Sequence, residues 1–379
     1  MIVDGFRVAG VAAKIKKTGA PDVALLVADE PATCAAVFTQ NRMRAAPVEI
    51  SAARTRAGRI SAVVVNSGNA NACTPDGARD AGAMAARAAL ACGLEEERVA
   101  VASTGVIGVP LPMPRLLRGI DAAAADLRPD GWDDFCRAIL TTDKGPKIHS
   151  ARAGRATLFG CAKGAGMIAP NLATTLVFVA TDAVVGAPVL RRLVKRAADQ
   201  TLNRAIVDGD TSTNDSLFVL ASGRVAAAER SLAAALEEVL GSLATQLVRD
   251  GEGATRLARI EVTGARSEAA ATKIARQIAT SPLVKTAFAG ADPNWGRILA
   301  AAGNAGVPLT PDRLALWLGP VCVVKRGVGV PGTDARAHGV LSQSSYTIRL
   351  DLGAGSAKSH VTTCDLTHEY ITINASYRS

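Results

Sequence analysis

Short apolar runs bounded by glycine, proline, asparagine and aspartate recur along the chain and predict buried β-strands. The clearest of these runs cover residues 22–29, 62–65, 176–180 and 260–263. Near the carboxyl terminus, polar and apolar residues alternate over 369–374, and this period of two predicts a further strand that ends in polar residues. The predicted strands are therefore spread along the whole sequence.

Longer segments between these strands have the apolar spacing that is typical of amphipathic helices. These segments cover residues 76–92, 113–127, 187–203, 231–249 and 267–278. The third of them is basic on its polar face. Because strands and helices alternate along the chain, we expect the α/β fold class.

Composition indicates a globular protein with a core of small aliphatic side chains. The chain has 379 residues, enough for one large α/β domain with a satellite or for two domains. Hydrophobic residues make up 49% and aromatic residues only 3%, which argues against binding of single-stranded nucleic acid by base stacking. The net charge of +9 contains no long basic block, so we expect no nucleic-acid partner and only a weak preference for anionic amino-acid substrates.

The seven cysteines and four histidines predict neither disulfides nor a metal centre. The cysteines are widely spaced, no Cys-x-x-Cys pair occurs, and no histidine stands at a metal-ligand spacing from them. No charged-then-apolar leader opens the chain, and no apolar run approaches the roughly 18 residues of a membrane span. We therefore expect a soluble, reduced, cytoplasmic protein with no membrane partner.

The stretch 163–182 concentrates the candidate chemistry. It opens with a lysine among glycines, turns at a Pro-Asn pair and enters the strand predicted over 176–180. Thr174 and Thr175 stand where the loop becomes this strand. From the residues alone, both fit two roles: β-branched strand starters, or a hydroxyl presented at a strand end near glycines.

This stretch resembles the self-cleavage signature of the glutamate N-acetyltransferase (ornithine acetyltransferase) family of arginine biosynthesis. The resemblance is carried by the order Lys-Gly-Ala-Gly-Met-Ile-Ala-Pro-Asn-Leu-Ala-Thr, which ends at Thr174. It implies autocatalytic cleavage between Ala173 and Thr174, giving an α chain of residues 1–173 and a β chain of residues 174–379 that form one catalytic unit. Thr174 is preferred to Thr175 because it follows Ala173 directly.

The implied nucleophile is chemically coherent. A threonine hydroxyl needs a base at neutral pH, and an N-terminal threonine carries one in its own α-amino group, whose reference pKa is about 8. Before cleavage this nitrogen belongs to an amide and cannot act as a base. Cleavage before Thr174 would therefore create the base that the hydroxyl needs.

Two further segments resemble the family around an oxyanion site. Small, amide-rich residues over 66–73 follow the strand at 62–65, which suits a site loop or an ordinary strand-to-helix connection. Residues 103–108 form a predicted loop with two glycines and two hydroxyls, which fits a plain turn as well as a set of oxyanion donors. The resemblance implies that Thr104 and Gly105 stabilise the oxyanion.

The resemblance also implies a set of side chains that hold the amino-acid substrate. The set is Thr141, Lys163, Thr174, Glu252, Asn374 and Ser379. Lys163 is implied to bind the substrate carboxylate and Glu252 the amine, while Thr142 stays open as the alternative to Thr141. From the residues alone, a loop lysine, a glutamate in a turn and a frayed chain end are ordinary surface features.

Two polar loops match the family without an assigned ligand role. The acidic loop over 208–215 invites a calcium site, but Thr213 occupies the position of the required glycine and Val219 that of the bidentate glutamate. We interpret this loop as site scaffolding. The turn over 292–297, which contains a tryptophan, is interpreted as structural or as part of an interface.

Together the motifs predict a layered α/β/β/α sandwich of the N-terminal-nucleophile-like ornithine acetyltransferase type, with a smaller C-terminal lobe. The implied reaction moves an acetyl group from N2-acetyl-L-ornithine to L-glutamate through an acetyl-threonine, with acetyl-CoA open as a further donor. We expect no metal, no cofactor, amino acids as small-molecule partners, and a heterotetramer or larger assembly of α and β chains. Two alternatives stay open: a self-cleaving N-terminal-threonine aminopeptidase or amidohydrolase of related fold, and a non-catalytic relative.

Overall fold

The chain forms two compact units. The larger unit extends to Asn203 and includes Asp210–Leu247, and the smaller unit includes Arg204–Gly209 and the described residues from Val248 onward. The smaller unit corresponds to the C-terminal lobe that the sequence predicts.

The computed structural model describes residues 2–169 and 175–376. The strands in this part of the chain are β1 (Phe6–Val11), β2 (Val23–Phe38), β3 (Arg59–Asn69), β4 (Val99–Val106), β5 (Lys147–Ala153), β6 (Ala156–Lys163), β7 (Leu176–Ala183), β8 (Ala205–Ile206), β9 (Ser216–Val225), β10 (Leu257–Ala265), β11 (Ala315–Leu318), β12 (Val321–Lys325), β13 (Val328–Gly329), β14 (Ser345–Asp351) and β15 (Ala357–Cys364). The helices are α1 (Ala46–Arg54), α2 (Gly77–Cys92), α3 (Met113–Ala125), α4 (Trp132–Ala138), α5 (Ala187–Gln200), α6 (Glu229–Arg249), α7 (Glu268–Thr280), α8 (Pro282–Ala289), α9 (Trp295–Gly303), α10 (Asp334–Leu341) and α11 (His368–Ser376).

The larger unit is built on a sheet with the strand order β4-β3-β2-β9-β7-β6-β5, and β1 also pairs with β2. The 16-residue strand β2 shifts register between Val27 and Ala32, where it passes from one half of the sheet to the other. Inward-facing residues of both halves, among them Leu26 and Phe178, belong to one apolar core. The long strand β2 thus joins two halves that share a core.

Helices cover the outer faces of this sheet. Met84 of α2 and Leu116 and Ile120 of α3 are fully buried against β2, β3 and β4. On the other half, a Cβ on Gly160 of β6 would lie 2.5 Å from Val239 of α6, so this helix packs directly on the strand. The order helix, sheet, sheet, helix confirms the predicted α/β class and its layering.

The smaller unit contains a second sheet with the strand order β13-β12-β11-β14-β10-β15-β8. Apolar residues of α7 and α8, such as Ile274 and Phe288, pack against Ile260 and Val262 of β10 in a separate core. Glu261, between these two positions, points away from this core because successive strand residues face opposite sides.

Most predicted elements are present, with shifted ends. The five predicted helices correspond to α2, α3, α5, α6 and α7, and their ends differ by at most 3 residues. The predicted strands over 62–65, 176–180 and 260–263 lie within β3, β7 and β10, and the one over 22–29 lies within β2 except for its first residue. The observed strands extend further because backbone pairing continues beyond each apolar run.

The strand predicted over 369–374 is wrong, since these residues belong to helix α11. Most of the helix is exposed, and no fully buried side chain supports it. A strand at this position would need a neighbouring strand to pair its N–H and C=O groups, whereas a helix pairs most of them within itself. The alternation of polar and apolar residues therefore does not decide the structure here.

Candidate active site

The predicted cleavage residues Ala173 and Thr174 and the terminal Ser379 lie outside the described residues. The flanks of the cleavage point are described: Lys163 ends β6, Leu176 begins β7, and the two residues are paired in an antiparallel register. The two predicted chains therefore contribute neighbouring strands to one sheet.

The predicted oxyanion residues Thr104 and Gly105 lie near the end of β4, where this strand pairs in parallel with the end of β3. A Cβ on Gly105 would lie 2.3 Å from the carbonyl carbon of Gly68, and Gly105 has a φ of +131°. Glycine is required at this position for both reasons, because a side chain would collide and would strain the backbone. Thr104 beside it is 9% exposed.

The segments predicted as loops over 66–73 and 103–108 begin inside strands. β3 continues to Asn69 and β4 to Val106, with an irregular register at the end of the pairing. The strands predicted from apolar runs are therefore too short. Strand pairing depends on the hydrogen bonds of the neighbouring backbone and not on the polarity of the side chains.

Buried amides hold these strand ends together. Asn66 accepts a hydrogen bond from the Ser103 hydroxyl at 2.6 Å and donates to the carbonyl of Asn69 at 2.8 Å. Asn214 donates to the carbonyls of Ala70 and Ser103 at 2.6 and 2.9 Å. Asn214 belongs to the acidic loop that we interpret as scaffolding, and these bonds show how it supports the strand ends.

Lys163 is buried at the end of β6, with 8% of its surface exposed. Its ammonium group donates to the hydroxyl oxygen of Thr104 at 3.2 Å. The alternative of an exposed loop lysine is therefore excluded. The contact places a positive charge beside the Thr104–Gly105 strand end, where it would stabilise a substrate carboxylate or a developing oxyanion.

Asp143, to which the sequence analysis gives no role, connects Thr141 to the segment around Lys163. One of its oxygens accepts from the Lys147 ammonium at 2.5 Å and from the backbone N–H of Gly164 at 2.6 Å. The other accepts from the backbone N–H of Thr141 at 2.9 Å. Asp143 thus ties predicted ligand Thr141 to the residue that follows Lys163. The Thr-Thr-Asp order could have revealed it, since aspartate often accepts local backbone hydrogen bonds.

The two lysines keep Asp143 ionised. Burial alone would raise the pKa of its carboxyl group, but the charges of Lys163 and Lys147 and the hydrogen bonds from Lys147 and Thr141 lower the pKa to about 2. The side chains of Asp143 and Lys147 are 0% and 3% exposed. Their ion pair is therefore a buried element of the site and not a surface contact.

In the smaller unit, the predicted ligands Glu252 and Asn374 are in direct contact. The amide nitrogen of Asn374 donates to a carboxylate oxygen of Glu252 at 2.8 Å and to the carbonyl of Tyr370 at 3.0 Å. Gly253 has a φ of +69°, and a Cβ there would lie 2.5 Å from the Tyr370 nitrogen, so α11 packs closely on this turn. Glu252 is 8% exposed, which excludes a solvated turn.

Neither a metal centre nor a membrane helix is found in residues 2–169 and 175–376. Within them, no group of three or more histidine, cysteine, aspartate or glutamate side chains is arranged to hold a metal ion. None of the helices described here is long and apolar enough to cross a membrane.

A buried lysine, a hydroxyl and two glycines thus lie together at the ends of strands in an α/β fold. The sequence profile of the ArgJ family matches residues 7–379. The chain belongs to the ArgJ family and is an acyltransferase.

Individual relatives support this membership over the whole chain. The chain is 48% identical over 394 aligned residues to the arginine biosynthesis bifunctional protein ArgJ of Geobacter sulfurreducens, covering 100% of both chains. It is 47% identical to the protein of the same name from Symbiobacterium thermophilum, covering 99% of this chain and 97% of that one. A crystal structure of the Bacillus halodurans arginine biosynthesis bifunctional protein ArgJ matches with a TM-score of 0.50 and 36% identity, covering 52% of this chain and 96% of that chain. The predicted family and enzyme class are confirmed.

Proposed function

We propose that this protein transfers the acetyl group of N2-acetyl-L-ornithine to L-glutamate in arginine biosynthesis, with Thr174 as the nucleophile. The observation that carries the proposal is the hydrogen bond from the buried Lys163 ammonium group to the Thr104 hydroxyl. This bond lies beside the close contact of Gly105 with Gly68 at the ends of β4 and β3. This arrangement supplies positive charge and hydrogen-bond donors where an oxyanion would develop. The full-length relatives named for arginine biosynthesis support the substrate class.

The reaction proceeds in two half-reactions, acetylation of the threonine and transfer of the acetyl group to glutamate. The Thr174 hydroxyl oxygen attacks the acetyl carbonyl while the α-amino group of the same residue takes the hydroxyl proton. The oxyanion is stabilised by Thr104 and Gly105, and the C–N bond breaks as the proton passes to the departing ornithine amine. Glutamate then attacks the threonine ester through its neutral amine, the C–O bond breaks, and the proton returns to the threonine hydroxyl.

The base in this scheme requires that the chain is cut between Ala173 and Thr174. The length of a solved relative supports such processing. The match to the Bacillus halodurans chain covers 96% of that chain but only 52% of this one, so the solved chain is about half as long as this protein. The curated relatives, in contrast, match over the full length of this chain. A precursor that is separated into two chains accounts for both observations.

The remaining assignments follow the same proposal. Lys163 binds the substrate α-carboxylate and Glu252 pairs with the substrate amine, while Thr141, Asn374 and Ser379 are further ligands of the amino acid. Asp143 holds the backbone of Thr141 and Gly164 in place. Acetyl-CoA is a second donor, no separate cofactor is needed, and α and β chains assemble in the cytoplasm as a heterotetramer or larger.

Mass spectrometry and a transfer assay test the proposal together. Purified protein is expected to give two fragments that meet at 173/174, and incubation with N-acetylornithine should add one acetyl group to the fragment that begins with Thr174. Thr174→Ala should abolish both cleavage and transfer. Release of free acetate without glutamate acetylation would favour the aminopeptidase or amidohydrolase class, and normal transfer by Thr174→Ala would refute the assignment.

A further inference from the structure

The loop between β1 and β2 places another lysine near the acyl-transfer site. Asp22 anchors this loop, because its buried carboxylate accepts the backbone N–H groups of Ala13, Ile15 and Lys16 at 2.6, 2.6 and 2.9 Å. The Lys16 ammonium donates to the carbonyl of Pro21 at 2.6 Å. The lysine side chain is therefore held in place and does not extend freely into solvent.

This loop crosses the strand end that carries the oxyanion pair. A Cβ on Gly68 would lie 3.0 Å from Cγ of Lys16, and Gly68 itself is in backbone contact with Gly105. The N–H of Ser67 also donates to the backbone carbonyl of Asp22 at 2.9 Å. The backbone of Gly68 thus lies between the aliphatic part of the Lys16 side chain and the predicted oxyanion residue Gly105.

The charges of the site act on Lys16. Burial lowers the pKa of its ammonium group, Asp22 and Asp143 raise it, and Lys163 lowers it, so that the pKa is about 8 in total. In the part of the chain that the structure describes, the ammonium group has a carbonyl partner and no carboxylate within ion-pair distance. Its charge is therefore available to an anion that binds nearby.

We propose that Lys16 is a positioning residue whose positive charge, acting through the Gly68–Gly105 strand ends, favours binding of a dicarboxylate amino acid at this site. The inference deepens the proposed acetyl transfer and rests on it for the identity of the substrate. Glutamate brings two carboxylates and N-acetylornithine only one, so the charge of Lys16 favours the acceptor more than the donor.

Glutamate binding, measured by calorimetry on the mature protein, tests Lys16 directly. Lys16→Met keeps the length of the stem and removes the charge, and we expect it to weaken L-glutamate binding about tenfold near neutral pH. Lys16→Arg should preserve binding, because guanidinium stays charged. The matched control is Lys17→Met, which removes an exposed charge from the next position and should leave the dissociation constant unchanged.

The pH dependence separates a charge effect from a structural one. Between about pH 7 and pH 9 the wild-type protein should lose glutamate affinity as Lys16 loses its proton, while Asp143 stays ionised. Lys16→Met should lack this loss, and Lys16→Arg should retain affinity at the higher pH. Equal glutamate affinity in wild type and Lys16→Met, or a fall in thermal stability that Lys16→Arg shares, would overturn the proposal.

The same preparations distinguish this inference from the proposed function. Acetyl transfer by the wild-type protein tests the function, whereas glutamate binding tests Lys16 even if no transfer occurs. If transfer is normal and Lys16→Met binds glutamate like the wild type, only the role of Lys16 fails. If the wild type binds glutamate in a Lys16-dependent manner without transfer, only the proposed reaction fails.

Discussion

At the scale of single residues, Asp143 shows how the site keeps a buried carboxylate ionised. Its two oxygens are shared among the ammonium of Lys147 and the backbone N–H groups of Thr141 and Gly164. Removing the negative charge would break the buried ion pair between Asp143 and Lys147, and breaking such a pair is among the more costly changes in a protein interior.

Asp143→Asn is therefore expected to lower the free energy of unfolding by ~3 kcal/mol and to reduce acetyl transfer. The amide keeps the shape of the side chain, so the effect reports the charge. Urea unfolding measures it, with Asp126→Asn as the control, because Asp126 is a surface carboxylate 50% exposed in its ion pair. A change no larger than that of the control would contradict the role given to Asp143.

The pH dependence of stability has a definite sign. The pKa of Asp143 is lowered from 3.8 to about 2, so its ionised form stabilises the fold above the unfolded-state pKa, and this contribution of about 2 kcal/mol is lost as the pH falls from about 5 to 2. The stability difference between wild type and Asp143→Asn should shrink over that range. Thermal unfolding at several pH values checks this, and a constant difference would count against it.

Thr175 carries a buried hydroxyl with no hydrogen-bond partner among the described residues. Replacing a hydroxyl of this kind by a methyl group removes a desolvation cost, so Thr175→Val is expected to keep or raise stability by up to about 1 kcal/mol. It should also cleave and transfer normally, whereas Thr174→Val should do neither. Loss of cleavage in Thr175→Val would move the nucleophile to Thr175.

At the scale of elements, the contact between the ends of β3 and β4 depends on glycine. Gly105→Ala places a Cβ 2.3 Å from the Gly68 carbonyl carbon at a positive φ, so it should cost about 1–3 kcal/mol of stability and lower transfer activity. Gly108→Ala is the matched control, because Gly108 also has a positive φ of +78° but nothing within 4 Å of the added Cβ. Equal losses in both variants would show that backbone strain, and not the strand contact, matters.

The carboxyl-terminal helix α11 shows that a local pattern of polar and apolar residues does not always predict the secondary structure. Residues 369–374 alternate like a strand, yet α11 forms and Asn374 contacts Glu252 from it. These two residues are 122 positions apart in sequence. No local period encodes such a contact, because it depends on how α11 meets the turn around Gly253.

At the scale of the whole molecule, the predicted cleavage point interrupts a sheet without dividing it. β6 precedes this point and β7 follows it, and the two strands pair over Leu158–Lys163 and Leu176–Thr181. The compact units divide elsewhere, near Asn203 and Leu247. A cut between 173 and 174 therefore leaves both fragments in the same core.

We expect the two fragments to stay together after cleavage. Size-exclusion chromatography under native conditions should give one peak that contains both, and only denaturant should separate them, because the paired strands bury their backbone hydrogen bonds in the core. Separate elution of the fragments in native buffer would show that the sheet does not hold them. Phe178→Ala, which opens the shared core, should weaken the association.

The α/β class, the main helices and the family motifs can be predicted from the sequence, because the period of apolar residues and the order of a motif are local properties. Thr104, Gly105, Thr141, Lys163, Glu252 and Asn374 were predicted in this way, as expectations carried by resemblance. The burial of Lys163 against Thr104, the connection of two loops by Asp143 and the helix over His368–Ser376 are seen only in the folded chain. These features arise from contacts between residues that are far apart in the chain. Burial and electrostatic interactions depend on how close the residues are in space and not on their separation in sequence.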